Sequence, residues 1–488
     1  MPHWTFDQHL QTMRDQNVRF SPRVGQGTRH FPLMDPCGKP IQRDPASERL
    51  EIESYLSNQS AEHLRLLERL ADELPAMHAK CRLAVLLPCR NEAQHIQDRL
   101  NLMAEQFGAD GRLLDRDLYE VIVLVNNAAD ENVDSTAELA RRWRNPTGMN
   151  LSVIQMVHAV DESAPLTLAR KILADLALLR ASRRNVYSNP LYLVSEDADV
   201  VWNDPRQLSE MLNAFDAQPA IDGIRGYQDR CPWLLIDHPI VLLMRRSWNF
   251  CESYASSRAL RPDRNPQYQF NWNRRVTSGW NSAFTADIYA RIGGYNRFRK
   301  FEEDLDIGEK ISTLRAYETS KGMIPQVNTV IGLPIRAEAS PRRWYYRTAK
   351  GIEPYDDRNG YENFFAQEHE QFLKSKSLNE LSQAIAPFSS LDPANIPLLE
   401  DMLQKDFEFL CRLHGSELLA TRAYQRILSW LGFESSHTDI RDGQVFVRSL
   451  EGVRRTIDQF AARTPKKPVS HLDQVLKAPR RSCPIRPI

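Results

Sequence analysis

The feature that most constrains the fold of this chain is an alternation of short apolar runs with longer amphipathic segments between about Cys81 and Gly332. The first run, residues 82–88, is apolar on both faces, as in a strand buried inside a parallel sheet. Because strands that alternate with helices form parallel sheets with right-handed crossovers, the pattern predicts a mixed, mainly parallel α/β sheet flanked by helices. The other predicted elements are strands at 120–125, 151–157 and 191–194 and helices at 93–106, 135–144 and 166–183.

The regions on either side of this pattern differ from it in composition. Residues 1–80 are charged and have leucines at helical spacing, and residues 346–463 have aromatic and leucine positions at the same spacing. The last segment, 464–488, is basic and proline-rich with little apolar content. The sequence therefore predicts four regions: a helical N-terminal extension (1–80), the α/β domain (81–345), a helical C-terminal region (346–463) and a disordered basic tail (464–488).

The composition excludes several classes of protein. The 488 residues include 63 Lys and Arg and 63 Asp and Glu, so no overall positive field favours nucleic acid as a partner. The seven cysteines form no CxxC pair, which favours reduced thiols over a zinc site or a disulfide framework. Neither a signal peptide nor an apolar run long enough to cross a bilayer is evident. We therefore expect a cytoplasmic protein with no transmembrane segment, whose basic tail could touch the inner membrane surface.

Three polar clusters follow the ends of predicted strands. They are residues 90–92 (Arg-Asn-Glu), 126–127 (Asn-Asn) and 196–199 (Glu-Asp-Ala-Asp). In open parallel sheets, ligands bind at the carboxyl ends of the strands. The sequence therefore predicts a binding site at that edge.

Asp197 and Asp199 are the first candidate metal ligands. Two carboxylates at this spacing, directly after a buried strand, can present hard oxygen ligands to one ion. Mg²⁺ is commonly held by one or two carboxylates together with substrate phosphates. The alternative interpretation is an acidic turn that caps the helix beginning near Pro205.

A second acidic cluster, residues 302–306, has four carboxylates in five positions. Helix capping is the alternative explanation, although a cap needs only one or two acids. Crowded carboxylates raise the pKa of at least one member, which suits a general base. Asp304 lies 105 residues after Asp199, and the pairing of the two clusters is more specific than either one alone.

Several ordered motifs resemble those of family-2 glycosyltransferases, which have the GT-A fold, and the resemblance covers roughly residues 82–343. The motifs are Val-Leu-Leu-Pro-Cys-Arg-Asn-Glu at 85–92, the strand 119–127 with Asp130 and Asp-Ser-Thr at 134–136, Ser-Glu-Asp-Ala-Asp at 195–199, Gly-Trp-Asn-Ser-Ala-Phe at 279–284, Ile-Gly-Gly-Tyr at 292–295 and Glu-Asp-Leu-Asp-Ile-Gly at 303–308.

This resemblance implies a hexosyltransferase-type enzyme that uses a nucleotide-sugar donor and Mn²⁺ or Mg²⁺. It implies that Asp199 holds the metal with support from Asp197, and that Asp304, beside Glu303, is the catalytic base of an inverting transfer. Trp280 and Asn281 would bind the acceptor. The residues expected on the donor side are Pro88, Arg90, Glu92, Asn126, Asn127, Arg170, Lys171, Asp197, Arg342 and Arg343.

Some alternatives remain open at the level of sequence. Arg170 and Lys171 could instead form a solvated helix face. Asn126 stands where the family usually has an Asp that contacts uracil, and because an amide both donates and accepts, UDP is not assumed. A sugar-phosphate nucleotidyltransferase usually has a glycine-rich loop after its first strand, whereas residues 88–92 contain no glycine. The remaining alternative is a non-catalytic sugar-binding protein. The acceptor, whether a small molecule, a lipid-linked molecule or a protein, is not identified.

Overall fold

In the computed structural model, the described residues fall into two compact units. The described ranges are 44–230, 277–311, 330–339 and 391–463, together with the single positions 240, 243, 247, 251, 314, 383 and 386. The first range excludes 94, 131–132, 163, 203 and 220, and the second excludes 278, 299–302, 305 and 309. The sheet unit contains the described residues within 44–228 and 277–338, and the helical unit contains those within 229–251 and 339–463.

The sheet unit is built on one eight-stranded mixed sheet in the order β3-β2-β1-β4-β7-β6-β8-β5. Strands β3, β2, β1 and β4 are parallel, and β7 is antiparallel to both β4 and β6. The strands are β1 Leu83–Cys89, β2 Tyr119–Ala128, β3 Asn150–His158, β4 Tyr192–Ser195, β5 Val200–Trp202, β6 Gly223–Arg230, β7 Ser282–Thr285 and β8 Val330–Ala339. This arrangement confirms the predicted mixed, mainly parallel α/β fold.

Helices cover this sheet and connect its parallel strands. The helices of the unit are α1 Pro45–Ser57, α2 Ala61–Glu73, α3 Ile96–Ala104, α4 Thr136–Arg141, α5 Pro165–Ser182, α6 Gln207–Ala217 and α7 Ala286–Arg291. Every residue of β1 and β2 is buried, as the apolar runs predicted. Helix α5, which packs on β1 and β2, is buried along nearly its whole length. The predicted strands and helices of this region agree with the observed ones, apart from a few residues at their ends.

The two N-terminal helices pack on the sheet unit. Asp44 and Ser60 cap α1 and α2 through side-chain oxygens that accept backbone N–H groups. Both helices contact α5, and α1 also contacts α7. The described part of the predicted N-terminal extension is therefore part of the packing around the sheet.

The helical unit has its own apolar core. It contains α8 Ile396–His414, α9 Glu417–Leu431 and α10 Leu450–Arg463, together with a hairpin of β9 Thr438–Arg441 and β10 Gln444–Val447. The hairpin was not predicted from the sequence. Its two-residue turn is formed by Asp442 and Gly443, which both have a positive φ. Among the described helices, none combines the length and the apolar content needed to span a bilayer.

Candidate active site

The β1–α3 loop is held against the start of α4. The Glu92 backbone N–H donates to Thr136 Oγ1 at 2.8 Å, and the Ala93 N–H donates to Asp134 Oδ2 at 3.0 Å. Asn91 has a φ of 56°, and its side-chain oxygen accepts from Asn127 Nδ2 at 3.2 Å. The predicted donor-side segments after β1 and β2 are therefore brought together by direct hydrogen bonds.

Asn126, at the end of β2, is buried, and its amide is used within the protein. Its Nδ2 donates to the carbonyl oxygen of Pro165, the first residue of α5, at 3.3 Å. An aspartate at this position could not donate that bond. The Asn126 amide is therefore required for its bond to the Pro165 carbonyl oxygen.

The acidic segment after β4 divides into one buried and two partly exposed carboxylates. Glu196 is fully buried and accepts from Arg99 Nη2 and Trp202 Nε1, each at 2.9 Å. The Arg99 guanidinium also lies over the Trp202 ring, 4.3 Å from its centroid. Burial raises the pKa of Glu196 to about 7, although Arg99 acts in the opposite direction. Asp197 and Asp199 are partly exposed, and only these two acids of the segment can reach a ligand in solution.

Arg170, on the first turns of α5, connects this segment to the second acidic cluster. Its side chain is 3% exposed. Nη2 lies 2.5 Å from Asp197 Oδ1, and Nε lies 3.1 Å from Glu303 Oε1. Nη1 donates to Ser195 Oγ at 2.8 Å and to the Gly279 carbonyl oxygen at 2.7 Å. One guanidinium therefore joins two acidic segments that are about a hundred residues apart in sequence.

The second cluster presents Asp304 beside a buried Glu303. The Asp304 Oδ2 atom accepts from the Gly279 N–H at 2.7 Å, and Thr277 Oγ1 donates to the Asp304 carbonyl oxygen. Burial and then the adjacent Asp304 carboxylate raise the pKa of Glu303 to about 7, while Arg170 acts to lower it. Asp304 itself is partly exposed. Burial, more than the crowding expected from the sequence, therefore accounts for the raised pKa of Glu303.

The two exposed aspartates of the first cluster fit a divalent metal in their chemistry. Both offer hard carboxylate oxygens at the carboxyl edge of the parallel strands. Within the part of the chain that the structure describes, no group of three or more His, Cys, Asp or Glu side chains is placed to hold a metal ion.

Other predicted site residues lie elsewhere or outside the described part. Lys171 is buried away from the Arg170 contacts and bonds Asp175 Oδ2 at 2.8 Å, because successive residues on a helix face different ways. Asn281 is also buried, and its amide joins Gln207 and Ile335. The contacts of Lys171 and Asn281 named here are all with other residues of the protein. Trp280 is 8% exposed, Pro88 is buried in β1, Arg90 is partly exposed, and Arg342 and Arg343 lie outside the described residues.

Sequence reasoning did not identify several residues that build this site. Ser195 and Tyr295 are joined by a side-chain hydrogen bond, and burial raises the pKa of Tyr295 to about 12. At Gly279, an added Cβ would lie 2.7 Å from Arg170 Nη2, so a larger residue there would force the guanidinium to shift. Gly279 and Tyr295 fall in recognised motifs, which was the available signal. Arg99 had none, because its partners are distant in sequence.

Comparison with known proteins gives structural matches only. No family model matches the chain, and neither does any of the curated proteins. The solved structures to which it is similar include TarS of S. aureus, at 14% identity over 75% of this chain and 59% of TarS, with a TM-score of 0.33. The chain thus spans about three fifths of the length of TarS.

Two further structures were solved with a nucleotide and Mn²⁺. The mannosyltransferase PcManGT from Pyrobaculum calidifontis, in complex with GDP-Man and Mn²⁺, is 15% identical over 88% of this chain and 99% of that protein, with a TM-score of 0.34. Glucosyl-3-phosphoglycerate synthase from Mycobacterium tuberculosis, with Mn²⁺, UDP and glucosyl-3-phosphoglycerate, is 13% identical over 55% and 72%, with a TM-score of 0.26. These proteins are what the chain is similar to, and they do not assign its substrate.

Proposed function

We propose that this chain is a metal-dependent glycosyltransferase that moves a hexose-type sugar from a nucleotide-diphosphate donor to an acceptor hydroxyl, with inversion. The observation that carries the proposal is the convergence of Asp197 and Glu303 on Arg170. It supports a shared site for the candidate metal ligands and the candidate base near the carboxyl ends of the parallel strands, where ligands bind in such folds.

Asp199 and Asp197 would hold Mn²⁺ or Mg²⁺. When bound, the ion neutralises negative charge that develops on a departing diphosphate. Phosphate oxygens of the donor would bind the ion together with these two carboxylates. Glu196 anchors the segment that carries Asp197 and Asp199, because it is buried and accepts hydrogen bonds from Arg99 and Trp202.

Asp304 is the better candidate for the base, and Glu303 supports it. The base must reach the acceptor hydroxyl, and Asp304 is partly exposed whereas Glu303 is buried against Arg170. The Gly279 N–H fixes one carboxylate oxygen of Asp304. The acceptor oxygen loses its proton to Asp304 and bonds the anomeric carbon as the bond to the diphosphate breaks, and attack from the opposite face inverts that carbon.

The donor nucleotide would lie along the loops after β1 and β2. Glu92 and Arg90 are partly exposed there, beside the hydrogen-bonded pair of Asn91 and Asn127. We propose that Arg342 and Arg343 contribute phosphate contacts, as expected from the guanidinium fork. We also propose a cytoplasmic location, and leave UDP, GDP and other nucleotides as alternatives because of Asn126.

A thermal-shift screen of nucleoside diphosphates with and without Mn²⁺ tests this proposal. A ligand that binds the native state raises the unfolding midpoint, and the rise grows with the logarithm of its concentration above the Kd. We expect at least one nucleotide to raise the midpoint only when Mn²⁺ is present. Asp199→Asn should abolish that shift, whereas the matched change Asp72→Asn, at an exposed carboxylate on α2, should preserve it. The proposal fails if the wild-type protein shows no metal-dependent shift with any nucleotide.

A further inference from the structure

The Arg170 guanidinium has little hydrogen-bonding capacity left for a ligand. A guanidinium carries five N–H donors. Four hydrogen bonds already lead to Asp197, Glu303, Ser195 and the Gly279 carbonyl oxygen. Bidentate binding of a phosphate requires two parallel N–H groups from one guanidinium. The side chain is also 3% exposed, so a bound phosphate would have to displace its protein partners.

The charge of Arg170 is likewise shared between protein carboxylates. Burial acts to lower its pKa, but Asp197 and Glu303 outweigh this effect and hold the pKa above its ordinary value. One positive charge therefore lies between a candidate metal ligand and the neighbour of the candidate base. Without it, the Asp197 and Glu303 carboxylates would lie near each other with no cation between them, which would move the two segments apart or protonate one carboxylate.

We propose that Arg170 is a positioning residue and not a ligand of the donor phosphates. It acts through Asp197 and Glu303 to fix the positions of the two acidic segments relative to each other. This inference rests on the proposed function and changes the role that sequence reasoning gave to Arg170. It predicts that the residue matters for metal-dependent binding, because Asp197 is displaced when it is removed. A phosphate ligand would instead matter with or without the metal.

The test compares Arg170→Met with the wild-type protein in the binding of the nucleoside diphosphate that gives the largest thermal shift. Affinity is measured by isothermal titration calorimetry, with Mn²⁺ and separately with EDTA. We expect about a tenfold or greater loss with Mn²⁺, and a change of less than about threefold with EDTA, as for two sites coupled through a shared partner. An equal loss in both conditions would overturn the proposal. The matched control is Arg183→Met, at an exposed arginine that follows α5.

Arg170→Lys provides a second reading that does not depend on weak metal-free binding. Lysine supplies one point charge, which can serve a phosphate but cannot span Asp197, Ser195 and Glu303 at once. We expect Arg170→Lys to be as impaired as Arg170→Met in Mn²⁺-dependent binding. Recovery to within about threefold of the wild-type affinity would identify Arg170 as a phosphate ligand instead.

Gly279→Ala covers the case in which a variant without the buried arginine fails to fold. The added Cβ would lie 2.7 Å from Arg170 Nη2 and would move the guanidinium without removing its charge. The same difference between Mn²⁺ and EDTA is expected, and equal losses would again contradict the positioning role. A wild-type protein that binds no nucleotide even with Mn²⁺ would refute the proposed function, which distinguishes that failure from this one.

Discussion

The imidazole of His63 lies 2.7 Å from Asp175 through its Nε2 atom and one carboxylate oxygen, inside the packing between α2 and α5. The same oxygen contacts Lys171 Nζ at 2.8 Å. The other oxygen accepts from the hydroxyls of Tyr55 and Tyr289, at 2.8 and 3.0 Å. A single buried carboxylate therefore joins α1, α2, α5 and α7.

Replacing Asp175 by Asn should strongly destabilise the sheet unit. The change removes the negative charge beside the buried ammonium of Lys171, and breaking such a pair costs about 3–5 kcal/mol. Urea unfolding followed by tryptophan fluorescence would measure the loss. Asp72→Asn is the control, because its partner Arg183 is exposed and such pairs contribute about 1 kcal/mol or less. Equal losses in the two variants would contradict this account.

Asp175 also makes a pH-dependent contribution to stability. Burial acts to raise its pKa, but the hydrogen bond from His63 and the charge of Lys171 prevail, and the pKa lies below its ordinary value. Since the folded-state pKa is the lower one, the contribution is complete above the unfolded value of about 4 and is lost as pH falls through the folded value. Unfolding free energies measured between pH 6 and pH 3 should therefore fall less steeply in Asp175→Asn than in the wild type.

The sequence predicted the parts of this fold that depend on local pattern. Buried parallel strands are apolar on both faces, so β1 and β2 could be recognised from residues 82–88 and 120–125 alone. The pairing of the two acidic clusters was inferred from their motifs, which lie 105 residues apart at Asp199 and Asp304. In the structure, Arg170 contacts one member of each cluster, Asp197 and Glu303.

The buried polar partners could not be predicted, because they pair residues that are distant in sequence. Asp175 bonds Tyr55, 120 positions away, and no local pattern marks either residue as a partner. Arg170 and Lys171 show the same difficulty at short range. They are adjacent and equally charged, yet a rotation of about 100° per residue sends one to the acidic clusters and the other to Asp175.

Asp304→Asn should abolish turnover while donor binding is retained. The asparagine carbonyl oxygen can still accept from the Gly279 N–H, so the loop keeps its bond but loses its base. Loss of a general base costs about 10²- to 10⁴-fold in rate. Release of sugar from the donor to water can be followed without knowing the acceptor. Asp98→Asn, at an exposed site on α3, should turn over like the wild type. If donor binding collapses in Asp304→Asn, the residue is not the base.

Asn126→Asp should weaken binding of nucleotides, UDP included. The aspartate cannot donate to the Pro165 carbonyl oxygen and would place a carboxylate against it, at a cost of about 1–3 kcal/mol. Asn150→Asp is the control. It loses a hydrogen bond of the same kind, from the side-chain amide to the Arg116 carbonyl oxygen, but this bond is exposed and water can replace it. Thermal unfolding and UDP binding of both variants are measured together. Tighter UDP binding by Asn126→Asp would contradict this account and show that the side chain at position 126 contacts the uracil of UDP.

The helical unit contains a buried carboxylate with one short hydrogen bond. Asp406, on α8, accepts from the Ser247 hydroxyl and is 3% exposed. Burial raises the pKa of Asp406 to about 7, although the bond from Ser247 acts to lower it. The residue is thus costly to ionise inside the folded protein.

Asp406→Asn should stabilise the protein at pH 8 more than at pH 5. The folded-state pKa exceeds the unfolded one, so the contribution of Asp406 to stability is complete below about pH 4 and is lost as pH rises to about 7. Asparagine does not ionise and can still accept from Ser247, which removes this loss. The expected gain at pH 8 is of the order of a few kcal/mol. Unfolding by urea at both pH values measures it, with Asp401→Asn, exposed on the same helix, as the control. A gain that does not grow with pH would show that Asp406 ionises normally.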